Sequence, residues 1–212
     1  MSKRIIRDYE TLSKNDEFTL FFDEKDMTKC KVLFFGPDDT PYHLGIYICD
    51  FSLQNYPQEP PKVSFTTGSI INARIHPNLY REGKVCLSIL GTWGTYEWSP
   101  LLTLEKICLT IKALMDENPI RNEPGYETRK LSDKDASNYV TNVKYLCLKT
   151  ITESLKCISS LPVNFQEKIR EHISKNKETI KKYKEELLPH NKKSYPTLHH
   201  TTNLDVSSIH FE

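Results

Sequence analysis

The chain of 212 residues is long enough for one domain of ordinary size with an extension, and its 38% hydrophobic residues suffice for a core. A formal net charge of +1 gives no general attraction to nucleic acid or to an anionic membrane. No apolar run approaches the ~18 residues of a spanning helix, and the start MSKRIIRDYE lacks the apolar segment of a signal peptide. We therefore expect a cytoplasmic or nuclear protein that binds neither membranes nor nucleic acid.

The first predicted element is an amphipathic helix over KRIIRDYETL. Its apolar residues recur at helical spacings on one side, at Ile5, Tyr9 and Leu12. Its basic residues lie on the other side, at Lys3, Arg4 and Arg7.

Four runs of β type follow, and turn residues separate them. These runs are EFTLFFD, KVLFFG, IYICDFSL and KVSFTT. Successive strands joined by short links predict an antiparallel meander.

Residues 68–101 show no regular period, and such a long stretch in a compact domain indicates either a misassigned element or a functional loop. Helical periodicity returns over 104–115, and two more helices are predicted around 139–155 and 169–187. The last of these is rich in lysine, which favours a solvated face over nucleic-acid binding. Residues 190–212 show no period, so we expect them to fray.

Six cysteines are present, and none belongs to a CxxC pair or has the spacing of a zinc site. Without a secretory signal the thiols are expected to be reduced, and most of them to be small buried side chains. Cys86 differs, because in REGKVCLSIL Gly83 allows a turn and Val85 and Leu87 can anchor the segment inward. Cys86 then points the opposite way, as a nucleophile requires.

The segment HPNLYREGKVCLSIL also contains two polar side chains upstream of this thiol. The Asn78 amide could hold the carbonyls of its own loop or stabilise an oxyanion near Cys86. His76 could act as a base or be held in a turn by backbone hydrogen bonds. The residues alone leave both alternatives open.

The order of these motifs resembles the ubiquitin-conjugating enzymes. The resemblance covers roughly residues 3–128 and rests on KRIIRDYETL, FFGPDDTPYHLGIY, YPQEPPKVSFTT, HPNLYREGKVCLSIL, WSPLLTLEKI and NPIRNEP. It implies the α+β fold of that family, with an N-terminal helix, a four-stranded antiparallel meander, an active-site loop and C-terminal helices. The long subclass with a C-terminal extension is the most similar. This suggests a conjugating domain over 1–130, a helical extension over 131–189 and a flexible tail over 190–212.

Two segments depart from the minimal members of that family. The segment TTGSIINARIHPN is about five residues longer than the link into HPN of the minimal members. The segment ILGTWGTYEWSP is about four residues longer than theirs before WSP. Ser88 also stands where minimal members carry an acidic residue.

By resemblance, Cys86 accepts ubiquitin or a ubiquitin-like protein from an activating enzyme as a thioester and passes it to a substrate lysine. The chain needs no cofactor of its own, because the activating enzyme uses the ATP upstream. The resemblance gives Asn78 the support of the oxyanion and Glu123 a gate role, with the neighbouring Asn122 as the alternative register. His76 and Pro77 are then structural residues that shape the turn.

The resemblance also implies two partner surfaces. Lys3, Arg4 and Arg7 match the basic helix face that meets the activating enzyme. Phe65, Ser99 and Pro100 match the loops that meet ubiquitin ligases. Two rival classes are a cysteine hydrolase that uses Cys86 with His76 and Asn78, and a non-catalytic scaffold of the same fold.

Overall fold

A four-stranded antiparallel sheet lies at the centre of the fold, as the alternating runs predict. The computed structural model describes residues 3–95, 98–196 and 201–211. The strands are β1 Phe18–Asp23, β2 Asp26–Phe35, β3 Ile46–Ser52 and β4 Lys62–Phe65. They pair in chain order, each antiparallel to the next, so the predicted meander is confirmed.

Six α-helices accompany this sheet in the described parts of the chain. They are α1 Lys3–Ser13, α2 Thr66–Ile71, α3 Leu104–Ala113, α4 Lys134–Lys156, α5 Val163–Lys175 and α6 Lys177–Leu187. α1 buries its predicted apolar face, and α3 begins where the Thr103 hydroxyl accepts the Lys106 amide, an ordinary N-cap. α2 was not predicted, because six residues are too few to show a helical period.

α4 packs directly on the sheet instead of standing apart from it. Its predicted face of Tyr139, Val143 and Leu146 is buried, and the Thr150 hydroxyl accepts the Ile46 amide at 2.8 Å. One continuous apolar core includes α4 and the sheet. The predicted boundary at residue 130 therefore does not separate two independently packed units.

The lysine-rich helix predicted around 169–187 is two helices instead of one. The break falls at Asn176, whose backbone leaves helical geometry at φ −102° and ψ 12°. Its side-chain amide donates to the His172 carbonyl at 2.9 Å, so the side chain satisfies the end of α5. Each helix then buries its own short apolar stripe against the core.

The expectation of a fraying tail is wrong for the described part of it. Strands β5 Ser194–Pro196 and β6 Thr201–Asn203 pair with each other. Four apolar side chains of the tail are buried, namely Tyr195, Leu204, Val206 and Ile209. The His210 amide donates to the Thr152 hydroxyl at 2.9 Å, which joins the tail to α4. Burial without periodicity leaves no signal in the sequence.

Residues 96–97 of the longer loop before WSP, together with 197–200 and 212 of the predicted tail, lie outside the described residues. No helix in the described ranges is long and apolar enough to cross a membrane.

Candidate active site

A tight turn carries the segment that contains Cys86. Gly83 has a φ of 95°, which L side chains rarely adopt, and a Cβ there would lie 2.5 Å from the Ser64 hydroxyl. The Phe65 amide donates to the Gly83 carbonyl at 2.7 Å, so the turn is fastened to the end of β4. The sheet therefore fixes the position of the loop.

Cys86 and Asn78 are joined by two hydrogen bonds across this turn. The Cys86 amide donates to the Asn78 carbonyl at 2.9 Å, and Asn78 Nδ2 donates to the Cys86 carbonyl at 2.9 Å. The Asn78 side chain thus holds the loop, which is one of the two roles that the sequence left open.

Thr92 fixes the other side of the Cys86 segment. Its hydroxyl accepts the Leu87 amide at 2.9 Å and donates to the Val85 carbonyl at 2.7 Å. Val85 and Leu87 are buried, as their anchoring role predicts. Cys86 is also buried, with only 2% of its surface exposed.

His76 lies buried inside the turn. Its Nδ1 accepts the Asn78 amide at 3.0 Å, so the ring carries its proton on Nε2. Burial lowers the pKa of His76 to about 3. The neighbouring Pro77 is buried as well. This geometry shapes the turn and leaves no lone pair of His76 with which to take a proton from the thiol.

Glu123 forms an ion pair with Arg74, with 3.4 Å between Oε2 and Nη2. Both side chains are largely covered, with 16% and 12% exposed respectively. Asn122 instead donates to the Asp116 carboxylate and the Pro119 carbonyl, each at 3.4 Å. Of the two registers that the sequence allowed, Glu123 is the one that meets a residue of the segment before HPN.

Two residues of this region were not recognised as site residues from the sequence. The Arg74 guanidinium lies 3.9 Å from the centroid of the Tyr80 ring. Arg74 lies in the longer link before HPN and Tyr80 lies within HPNLYREGKVCLSIL, and neither was assigned a role at the site from the sequence. Tyr80 could have been identified from the sequence, because side chains alternate between two faces on either side of the Gly83 turn. This alternation places Tyr80 on the same face as Cys86.

The basic face of α1 divides into two kinds of residue. Lys3 and Arg7 are exposed, as expected. Arg4 is not free, because its guanidinium donates to the Asp8 carboxylate at 2.9 Å and to the Pro100 carbonyl at 2.7 Å. The prediction that Arg4 is available to a partner is wrong, since its charge is engaged within the chain.

Phe65 is not a surface residue. It is 0% exposed, and its ring packs on the Tyr47 ring with centroids 6.2 Å apart. The expectation that it meets a ligase is therefore wrong, because strand alternation turns this side chain into the core. Ser99 and Pro100 do reach the surface, and the adjacent Leu101 is 87% exposed.

The described ranges contain no cluster of three or more His, Cys, Asp or Glu side chains that could hold a metal ion.

The chain is similar in sequence to a family of known proteins. A family model described as ubiquitin-conjugating enzyme matches residues 4–147, which reach into α4. Ubiquitin-conjugating enzyme E2 Z of Xenopus tropicalis is 44% identical over 139 residues, or 64% of this chain and 44% of the relative. Probable ubiquitin-conjugating enzyme protein 17 of Caenorhabditis elegans is 37% identical over 180 residues, or 81% of this chain and 24% of the relative.

A plant relative, putative ubiquitin-conjugating enzyme E2 38 of Arabidopsis thaliana, is 35% identical over 181 residues, which are 80% of this chain and 54% of the relative. The chain thus spans less than two thirds of the length of these relatives. Similarity over 80% of the chain also extends beyond the residues that the family model matches. Since that model covers more than half of the chain, the protein belongs to the ubiquitin-conjugating enzyme family.

Proposed function

We propose that this chain accepts ubiquitin or a ubiquitin-like protein from an activating enzyme as a thioester on Cys86, and transfers it to the lysine amines of substrate proteins, with or without a ligase. The observation that carries this proposal is the pair of hydrogen bonds between Asn78 and Cys86. These bonds fix a cysteine at the end of the HPN loop, within the residues that match the family model.

The chemistry is two acyl exchanges. In the first, the Cys86 sulfur attacks the carbonyl of the activating enzyme's thioester, and the thiol of that enzyme leaves. In the second, a lysine amine attacks the new thioester, loses a proton, and displaces the Cys86 sulfur to form an isopeptide bond. Each step replaces one acyl bond by another, so neither step needs a cofactor in this chain, and ATP is used upstream.

Asn78 and Glu123 take the supporting roles. One N–H of the Asn78 amide already holds the Cys86 carbonyl, and the amide group has a second N–H with which to stabilise an oxyanion. Glu123 supplies a carboxylate that orients an incoming lysine or accepts its proton. Its ion pair with Arg74 keeps that carboxylate in place before the lysine arrives.

Partner surfaces follow from which of the predicted partner residues are exposed. Lys3 and Arg7 offer positive charge to the activating enzyme, and Ser99 and Pro100 offer an exposed loop to ligases. The reduced thiol that this chemistry requires favours a reducing compartment, the cytosol or nucleus.

The geometry counts against a cysteine hydrolase. A triad needs a histidine whose nitrogen accepts the thiol proton. His76 uses Nδ1 to accept a backbone amide, and its pKa of about 3 reflects a buried neutral ring. Cys86 therefore attacks the incoming thioester without passing its proton to His76.

A charging assay tests this proposal. The full chain is incubated with an activating enzyme, ATP and tagged ubiquitin, and the products are separated on a gel without reductant. We expect an adduct that a thiol reagent cleaves. Cys86→Ser should give a reductant-resistant ester or no adduct, while the buried control Cys108→Ser should still form the thioester.

The proposal fails if Cys86→Ala keeps the thiol-sensitive adduct, or if loss of another cysteine removes it. Ubiquitin-like proteins are tested in the same format with their own activating enzymes. A modifier that charges Cys86 and is then passed to free lysine is one that the enzyme can use.

A further inference from the structure

A small antiparallel ladder around the Gly83 turn places Tyr80 beside Cys86. Leu79 pairs with Val85, and the Tyr80 amide donates to the Lys84 carbonyl at 3.0 Å. Side chains alternate between the two faces of such a ladder, so Tyr80 and Cys86 share one face. In this register they are diagonal neighbours, a spacing that an aromatic side chain spans.

Positively charged side chains hold the Tyr80 ring in place. The Arg74 guanidinium lies 3.9 Å from the ring centroid, and the Lys84 ammonium lies 5.5 Å from it. Burial raises the pKa of Tyr80, the charge of Arg74 opposes that rise, and the nearby Cys86 and Glu123 add to it. The hydroxyl thus lies within electrostatic reach of both the thiol and the Glu123 carboxylate.

Arg74 reaches this position because of how the longer link before HPN is folded. Asn72 caps the C-terminus of α2 in the left-handed conformation, with a φ of 50°, and the Ala73 amide donates back to the Gly68 carbonyl at 3.1 Å. The chain reverses there and directs Arg74 over Tyr80. Arg74 Nη2 also donates to the Pro77 carbonyl.

We propose that Arg74 is a positioning residue that fastens Tyr80 and Glu123 over Cys86 in the uncharged enzyme. We call these three residues, Arg74, Tyr80 and Glu123, the Tyr80 clamp. Acyl transfer requires an attacking thiolate that can be reached, yet Cys86 is 2% exposed. The clamp must therefore open before the thioester forms. This inference rests on the proposed function for its purpose, but its test needs no ubiquitin.

The test measures how fast iodoacetamide alkylates Cys86 in the full uncharged chain. The extent of reaction is read by mass spectrometry of the peptide that contains Cys86. Arg74→Ala should raise the rate about threefold to thirtyfold, the shift expected when a cation–π contact and a partly covered ion pair are lost. Arg81→Ala, which removes an exposed arginine of the same loop, should leave the rate unchanged.

The direction of the change separates access from electrostatics. Loss of a positive charge is not a general cause of faster alkylation, because cations near thiols favour the reactive thiolate. A faster reaction in Arg74→Ala therefore reports an uncovered thiol. Arg74→Lys keeps the positive charge but loses the planar stacking on Tyr80 and the fixed set of guanidinium N–H donors. It should therefore give an intermediate alkylation rate.

The buried Cys108 serves as the internal measure of unfolding. An unchanged or slower reaction at Cys86 in Arg74→Ala overturns the proposal. If Cys108 also reacts faster, the variant has loosened the whole core, and Glu123→Gln decides the matter. This substitution removes the ion pair at nearly constant shape, and faster alkylation at Cys86 alone supports the clamp, whereas no change overturns it.

The clamp and the proposed function can fail separately. Faster alkylation of Arg74→Ala in a protein that no activating enzyme charges would leave the clamp standing and reject the proposed function. Normal charging of Cys86 with no change in alkylation would do the reverse.

Discussion

Asn78 contacts Cys86 in two ways, since its backbone carbonyl accepts the Cys86 amide and its side-chain amide donates to the Cys86 carbonyl. At the scale of single residues, this arrangement holds the loop, and the proposed function adds support of the oxyanion as a second role for the Asn78 side chain. Separating the two contributions needs a variant that loosens the same loop without removing a donor. Thr92 offers that control, because it fixes the same segment through its hydroxyl.

Asn78→Ser should slow discharge of the Cys86 thioester to free lysine by ~10²–10³, the usual loss for one oxyanion donor. Charging by the activating enzyme should stay closer to normal. Both rates are measured in single-turnover assays with labelled ubiquitin. The control Thr92→Val should affect discharge far less. Equal slowing in both variants would leave Asn78 with a purely loop-holding role.

At the scale of elements, α1 shows that neighbouring basic residues can serve different ends. Lys3 and Arg7 are exposed, while Arg4 joins the helix to the loop that carries Pro100. Arg4 also pairs with Asp8, which is only 2% exposed. Removing Arg4 would leave this buried carboxylate without its charged partner, so a change at Arg4 reports stability more than partner binding.

Reversing Lys3 and Arg7 to Glu should raise the apparent KM for charging without unfolding the domain. The wild-type reaction should also weaken with added salt, since exposed charges are screened beyond ~8–10 Å near physiological ionic strength. A matched control reverses Lys168 and Arg170, two exposed cations of α5, with the same change in net charge. An unchanged KM in the α1 variant, or an equal rise in the control, would show that the α1 face is only solvated.

α5 packs on the sheet through His172, a histidine whose pKa is lowered. The His172 ring stacks on the Phe35 ring with centroids 3.8 Å apart, and its Nε2 donates to the Leu44 carbonyl at 3.3 Å. Burial lowers the pKa of His172 to about 4, below the ~6.5 of an unperturbed histidine. The unfolded chain therefore binds one more proton than the folded chain between these values, and stability rises with pH.

As pH falls from about 6.5 to about 4, His172 should lower the free energy of unfolding by about 1.4 kcal/mol per pH unit. Urea unfolding at a series of pH values measures this slope. His172→Gln keeps a donor for the Leu44 carbonyl but does not titrate. The unfolding free energy of this variant should therefore change less steeply with pH, by the contribution of one proton. Because the buried His76 acts in the same direction, some slope should remain. A slope identical to wild type would exclude His172 as its source.

At the scale of the whole molecule, the tail completes the core around α4. The Lys192 amide donates to the Leu204 carbonyl at 2.8 Å, and Lys184 Nζ donates to the Ile209 carbonyl at 2.7 Å. With four apolar side chains buried, the described tail is part of the folded unit.

Deleting residues 190–212 should therefore destabilise the protein by several kcal/mol, because each large apolar side chain contributes ~1.5–3 kcal/mol on burial. Denaturant unfolding of the full and shortened chains measures the difference. Hydrogen exchange gives a second reading, in which the amides of Leu204 and His210 should be protected. A shortened chain as stable as the full one would restore the expectation of a frayed tail.

The sequence by itself determined what repeats locally. The apolar spacing of Ile5, Tyr9 and Leu12 predicted α1, and the alternating runs predicted the meander. These two patterns are visible because helices and strands impose their own periods on the chain. The order of motifs from KRIIRDYETL to NPIRNEP resembled that of the family.

Only the tertiary structure decided which side chains are available. Phe65 and Arg4 were expected at the surface, but Phe65 lies in the core and Arg4 is bound to the loop that carries Pro100. The tail was expected to fray, but it packs against α4. Arg74 acquired its position only because the chain reverses after α2. Burial depends on partners far away in sequence, and no local period records them.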